Sequence, residues 1–522
     1  MPAPGYLRKR GGRQGTGPRR SCVLAFAAAL SAGLTSCSVG PDYRPPEAPI
    51  PQNFAAASSS KGNVSEAAVA AKWWQTLRDR ELDSLIERAI AGSPTLEIAL
   101  DRIQQARAQE AAVIGAALPA AEASEGGALG TGSDLARSRV SQPLVSAENG
   151  VGFTRVTNIV GFDAGWEIDI FGKFRRAIEA ARYDVDAAIA ARNVVLISLV
   201  ADVTRAYLDL RALQMQLAVL RKNIEVAQKY MDFVQERFNR GITNELDVTL
   251  AQRQLAQLQS QVAPLAARID SARYVIAVLI GEFPENLGRE LARPGMLPVL
   301  PARIRSGLPI DLLRRRPDIV EAERQLAGAT AQIGVATADL FPHVVLIGSY
   351  GWQQGLGATA AAINPIWSFG PGAAAPLLDF GRLDAIVEKA DFRIRELLFN
   401  YKQTVLNAVR EVDTAVDAYA AQQDRLRHLA NALTAARRAV NLASERFDRG
   451  LTDSLNVIDA QRQEYIIEQE YVLAQQNAAE QLVTLYKSLG AGWEDYQVLP
   501  PIPPPLPAVA AAFKSLFEPG VP

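Results

Sequence analysis

The residues able to do chemistry are few and scattered. His343 and His428 are the two histidines, far apart in sequence, and no H-E-x-x-H, Walker or G-x-S-x-G pattern occurs. The glycine cluster Gly126-Gly127-Gly130 does not precede a helix and is a weak phosphate cradle. No catalytic residue, metal site or cofactor is therefore expected. Two thiols exist, Cys22 and Cys37, and both lie in or beside an N-terminal targeting segment, residues 1–36. There, Arg8, Lys9, Arg10, Arg13, Arg19 and Arg20 precede an apolar stretch from Val23 to Leu34. That stretch is too short to span a bilayer and is followed by small residues.

Leu34-Thr35-Ser36-Cys37 resembles the lipobox of bacterial lipoproteins, which implies that the signal is cut before Cys37 and that its thiol takes a diacylglycerol. Ser38 rather than Asp after the cysteine would, in such lipoproteins, favour transfer to the outer membrane. A buried core thiol, the bland alternative, fits poorly between a signal core and a proline-rich linker. The mature chain of 486 residues carries 49 Lys+Arg against 56 Asp+Glu, a net charge of about -7, and has no basic field for nucleic acid. With Cys22 removed, no intrachain disulfide can form, so packing and assembly must supply stability.

The elements that position these residues come from a duplication. Residues 237–254 (RFNRGITNELDVTLAQRQ) and 446–463 (RFDRGLTDSLNVIDAQRQ) are identical at 11 of 18 positions. The offset of 209 residues holds back to Phe171-Gly172 and Phe380-Gly381. A second offset, 223, relates Pro94–Pro119 to Pro317–Pro342. Between Lys173 and Ala263 the one glycine is Gly241, and between Arg382 and Leu489 it is Gly450, with no proline in either stretch. Two very long helices ending at these glycines are expected, each roughly 100 Å at 1.5 Å per residue. Apolar residues spaced by threes and fours from Val203, Tyr207 and Leu210 to Phe238, and from Val412 to Phe447, predict left-handed coiled coils; Gln422 alone breaks the stripe.

No apolar run of 18 residues follows Cys37, so a membrane span would need strands. Phe162, Ala164, Trp166, Ile168 and Ile170 alternate with Asp163, Gly165, Glu167 and Asp169, as a barrel wall between lipid and water requires. Strands are also expected at 342–352 and around Ile366–Phe369, and by repeat symmetry alone after Pro119, where the sequence is poor in β-branched residues. Four strands cannot close a barrel. The expectation is a mainly α chain with a membrane β-barrel portion: a long α-helical coiled-coil barrel plus four strands per chain, completed as a trimeric 12-stranded barrel with an internal two-fold repeat. The boundaries are a signal peptide at 1–36 and a lipidated linker at 37–72. A first repeat follows at 73–308 (β-hairpin about 119–171) and a second at 309–495 (β-hairpin about 342–380), with a Pro-rich tail at 496–522.

The chain resembles the outer membrane factor family, the TolC and OprM type exit ducts, in its lipoprotein branch. The matching residues are Cys37–Pro46, Trp73-Trp74, Trp166–Lys173, both RFxRGxTxxLxVxxAQ tips and Leu485–Trp493. The resemblance implies a homotrimer whose barrel sits in outer membrane lipid and whose α-barrel crosses the periplasm. It would be the passive exit duct of a tripartite efflux system. It also implies that Arg240, Gly241 and Ile242, with Arg449, Gly450 and Leu451, meet a periplasmic adaptor, which joins the duct to a proton-driven inner-membrane efflux pump. Leu455 and Asp459 would form pore rings at the gate, and Asp247, aligned with Asn456, would be a polar contact of the tip. The alternative is a periplasmic coiled-coil adaptor or scaffold lipoprotein.

Overall fold

The computed structural model describes residues 38–46, 51, 64–65, 70–124, 134–138, 155–288, 290–298, 300–301, 304–305, 315–356 and 363–496. The signal segment, Cys37 and the tail beyond Tyr496 lie outside the described residues. The chain is mainly helical and forms two compact units. One gathers residues up to 43, 112–180 and 330–391, the other 44–111, 181–329 and 392 onward.

The first unit holds an antiparallel sheet. Strand β3 (Arg155–Ile168) pairs along its length with β4 (His343–Leu356), which pairs with β5 (Ile363–Ala374). On the other side of β3 lie β1 (Ala120–Ser124) against Gly165–Gly161, and β2 (Asp134–Ser138) against Ile159–Arg155. After Pro119 two short strands thus lie end to end along β3, residues 125–133 between them lying outside the described residues, and the sheet has four lanes. Their alanines and serines offer little of the side-chain packing that favours strands. Phe162, Tyr350 and Trp367 stand directly opposite one another across three strands, 61%, 52% and 75% exposed. Asp163, Ser349 and Ser368 form the next row on the opposite face, with the two serine hydroxyls 2.7 Å apart.

The second unit is built from helices: α1 (Arg80–Gly92), α2 (Pro94–Ala116), α3 (Lys173–Asn239), α4 (Glu245–Gln259), α5 (Val262–Ile280), α6 (Pro317–Ala338), α7 (Arg382–Asp448) and α8 (Ser454–Ser488). Parts of α2, α3, α6 and α7 belong to the sheet-bearing unit. Helices α3 and α7 are 67 residues each and end one residue short of Arg240 and Arg449. The heptad stripe is the core: Val203, Tyr207, Leu210 and Leu213 are at most 1% exposed and pack with Val412, Val416 and Tyr419. One window of α3 is apolar enough to cross a bilayer by composition, but 61% of it is buried within the protein, so this core accounts for its hydropathy. The paired tryptophans are packing residues: Trp73 stacks on Tyr486 at 4.9 Å and meets Trp74 edge-on at 5.9 Å, each 1% exposed.

The copies diverge on the return path. In the second, α8 runs unbroken for 35 residues. In the first, the helix stops at Gln259 and restarts at Val262. Pro264, in the first turn of α5, has no N–H to bond back and its ring clashes with the preceding turn, whereas the residue 209 positions on is Leu473.

Candidate functional site

The tips are built from local helix-termination chemistry. Gly241 (φ +69°) and Gly450 (φ +72°) take the left-handed conformation. The Gly241 N–H donates to Phe238 O at 2.8 Å and the Ile242 N–H to Arg237 O at 2.9 Å. In the second copy Gly450 donates to Phe447 O at 2.9 Å and Leu451 to Arg446 O at 2.9 Å. This is the paired-bond C-terminal motif that stops a helix. Arg240 pairs with Glu236 and Arg449 with Glu445, one turn back. Ile242 and Leu451 are 58% and 63% exposed, so each tip presents an apolar side chain beside an arginine.

Within the chain the two tips are tied together. Asp247, in the first turn of α4, accepts from Ser454 Oγ, the first residue of α8, and from Thr243 Oγ1. Tyr230 of α3 donates to the Ser454 carbonyl at 3.2 Å. Phe447 lies against Tyr230 and Phe233, and the Arg237 guanidinium covers its ring at 5.1 Å. Burial pushes the Asp247 carboxyl up, but hydrogen bonds from Ser454 and Thr243, a backbone contact at Asn244 and the charge of Arg237 outweigh it. The carboxyl is held below the usual carboxylate range. Burial pushes the Tyr230 hydroxyl up to about 12.

Leu455 follows Ser454 directly and is 57% exposed; Asp459, one helical turn on, is also exposed. Asp459 has no hydrogen-bond or ion-pair partner among the described residues, so an apolar and a carboxylate side chain stand free on one face of α8. Sequence reasoning did not single out Ser454 or Tyr230. The tie joins residues more than 200 positions apart, and the one available signal was Asp247 standing where the other copy has Asn456. Elsewhere in the helical unit a cavity of about 440 Å³ is lined by Arg205, Arg316, Asp318, Glu411 and Lys487. Its buried Arg316 is committed to structure, donating to Asp318 (2.6 Å), Glu411 (2.9 Å) and the Ser488 carbonyl (2.8 Å).

Comparison with known proteins matches the profile of the outer membrane efflux protein family to residues 85–282 and 308–491. Nodulation protein T of Rhizobium leguminosarum bv. viciae is 30% identical over 477 residues, 91% of this chain and 95% of that protein. Cation efflux system protein CusC of Escherichia coli O6:H1 is 28% identical over 482 residues, 90% and 99% of the two chains. The solved outer-membrane channel OprN superposes with a TM-score of 0.78 at 32% identity, covering 88% of this chain and all of that one.

Proposed function

We propose, because this chain belongs to the outer membrane efflux protein family, that three copies close a single barrel and form a duct gated at Leu455 and Asp459. The chain is an outer membrane efflux channel with a helical periplasmic extension. The observation that carries the trimer is the sheet. It has four lanes, β1 with β2 and β5 are its edges, and its aromatic row faces out of the protein. Single-chain barrels have at least eight strands, so four lanes need partners, and three chains supply twelve. Lipid would cover the exposed aromatics, while Asp163, Ser349 and Ser368 would line water. A periplasmic adaptor lipoprotein, the other reading, gives that face no environment.

The channel is read as passive, with no catalytic residue. An inner-membrane pump, proton-driven, would drive export through a periplasmic adaptor docking at Arg240, Gly241, Ile242, Arg449, Gly450 and Leu451. These residues are exposed at the helix ends, free of the packing that holds the rods together. Acylation of Cys37 would add an anchor in outer membrane lipid. At the gate, three Leu455 side chains would form an apolar collar and three Asp459 carboxylates a ring whose mutual repulsion opposes closure. Replacing both with small neutral residues should raise single-channel conductance in planar bilayers, and Asp459→Asn alone should weaken cation selectivity. Unchanged conductance and ion preference would place the gate elsewhere.

A further inference from the structure

The first described residues, Ser38–Asp42, are built into the sheet-bearing unit. The Val39 N–H donates to Phe171 O at 3.0 Å. Arg176, its side chain 7% exposed, donates from Nε to Val39 O (3.3 Å) and from Nη2 to Gly40 O (3.3 Å) and Asp42 Oδ1 (2.7 Å). Its Nη1 is held by Glu179 at 2.8 Å. Glycines clear the path. A Cβ on Gly40 (φ +91°) would sit 2.5 Å from Gly334 Cα. One on Gly334 would meet Arg176 Cγ at 2.8 Å and Val39 O at 3.0 Å, and one on Gly172 would meet Ser38 Oγ at 2.7 Å. One buried guanidinium thus reads three acceptors of a segment lying in a groove that side chains would block.

The duplication supplies a control. At the equivalent positions of the other copy, Gly381 keeps its φ of +82°, but a Cβ there would meet nothing within 4 Å among the described residues. Arg176 corresponds to Ala385 and Gly334 to Ala111. The turn glycine serves helix entry in both copies. The arginine and the packing glycine occur only where the N-terminal segment lies.

We infer that this groove is a positioning site for the lipidated N-terminus. Arg176, Gly172 and Gly334 grip the residues immediately after Cys37, so the acyl chains leave the protein at one fixed point beside the β3–α3 junction. The inference rests on the reading of Cys37 as acylated. A single residue spans at most about 3.6 Å, so a held Ser38 confines Cys37. Release of the nine residues 38–46 would let it wander over roughly 15–18 Å.

The test uses the full-length trimer in lipid nanodiscs. A nitroxide on Pro41→Cys, the one reactive thiol once Cys37 is acylated, should give an immobilised spectrum and one defined accessibility to lipid-soluble oxygen. Arg176→Ala and Gly334→Leu should each sharpen the spectrum and broaden that accessibility, with intact mass, helical circular dichroism and trimer band unchanged. Ala385→Arg should change none of these. An immobile label in both groove variants, or mobilisation only together with loss of fold, would overturn the inference. Intact mass of the wild type reports acylation separately: a free Cys37 thiol would remove the lipid role, and the same label placed on a Cys37→Ser background still shows whether the segment docks.

Discussion

Replacing Asp247 by alanine should loosen the tie between the two tips. Of its two hydroxyl donors, Thr243 belongs to the same tip, so the bond from Ser454 is the one Asp247 makes across, beside the Tyr230 bond to the Ser454 carbonyl and the Phe447 contacts, which remain. A hydrogen bond to a charged acceptor is worth about 1.5–3 kcal/mol when buried. Asp247 is half-buried, which brings the bridge to about 1–2 kcal/mol, a roughly 5- to 30-fold shift in the ratio of fastened to unfastened tips. Hydrogen exchange followed by mass spectrometry should show the amides at 454–456 exchanging faster by that factor, and planar-bilayer recordings should show more frequent openings, because Leu455 is the next residue. Asp247→Asn, which keeps an acceptor but no charge, should fall between. Because the Asp247 carboxyl is held below its ordinary value, its charge strengthens the tie above the unfolded aspartate pKa of about 3.9 and stops doing so as pH falls through the lower folded value. The wild type should therefore loosen only in acid, and Asp247→Asn should lack that acid limb. Unaltered exchange at 454–456 in Asp247→Ala, or an acid limb persisting in Asp247→Asn, would refute the reasoning.

Gly450→Ala should cost only the backbone strain of positive φ, about 1 kcal/mol, since nothing lies within 4 Å of the added carbon. Gly490→Ala should cost at least twice as much, both variants being read by thermal melts of the detergent-solubilised protein, because its Cβ would meet Arg316 Cγ at 2.8 Å and Cα at 3.0 Å. Trp73→Ala should cost about 3–5 kcal/mol by denaturant titration of the detergent-solubilised protein, through the cavity left against Tyr486. Cys37→Ser should remove the acyl mass from the mature N-terminus while leaving the circular dichroism unchanged.

The long helices were legible because their signal is redundant: a heptad stripe, a glycine stop and a second copy of both. The tips were legible for the same reason, since the RGxT pattern encodes a termination motif that depends only on neighbours. Strand β3 announced itself by alternation, whereas β1 and β2 did not, because their pairing depends on β3 rather than on their own composition. The break at Ser260-Gln261 has no mark within the proline-free stretch that ends at Ala263, because its cause, Pro264, lies one residue beyond it. Least legible were contacts between distant segments. Nothing local marks Ser454 as the partner of Asp247, and nothing marks Arg176 as the residue that grips Val39, Gly40 and Asp42. A long-range polar contact leaves no periodicity, and one chain offers no pattern of paired change from which to infer it.

The interruption at Ser260-Gln261 makes the two copies mechanically unlike. Helix α8 is an unbroken beam of 35 residues, about 52 Å, while α4 is a stub of 15, about 22 Å, ending at a joint. For an equal rotation about the end away from the tip, the beam's free end sweeps a bit more than twice the arc. An unbroken helix links the second tip to the packed layer around Leu482, Leu485 and Tyr486, whereas from the first tip the helix is interrupted after four turns. Duplication supplied two similar arms, and one proline left the pair with a long lever on one side and a short one on the other.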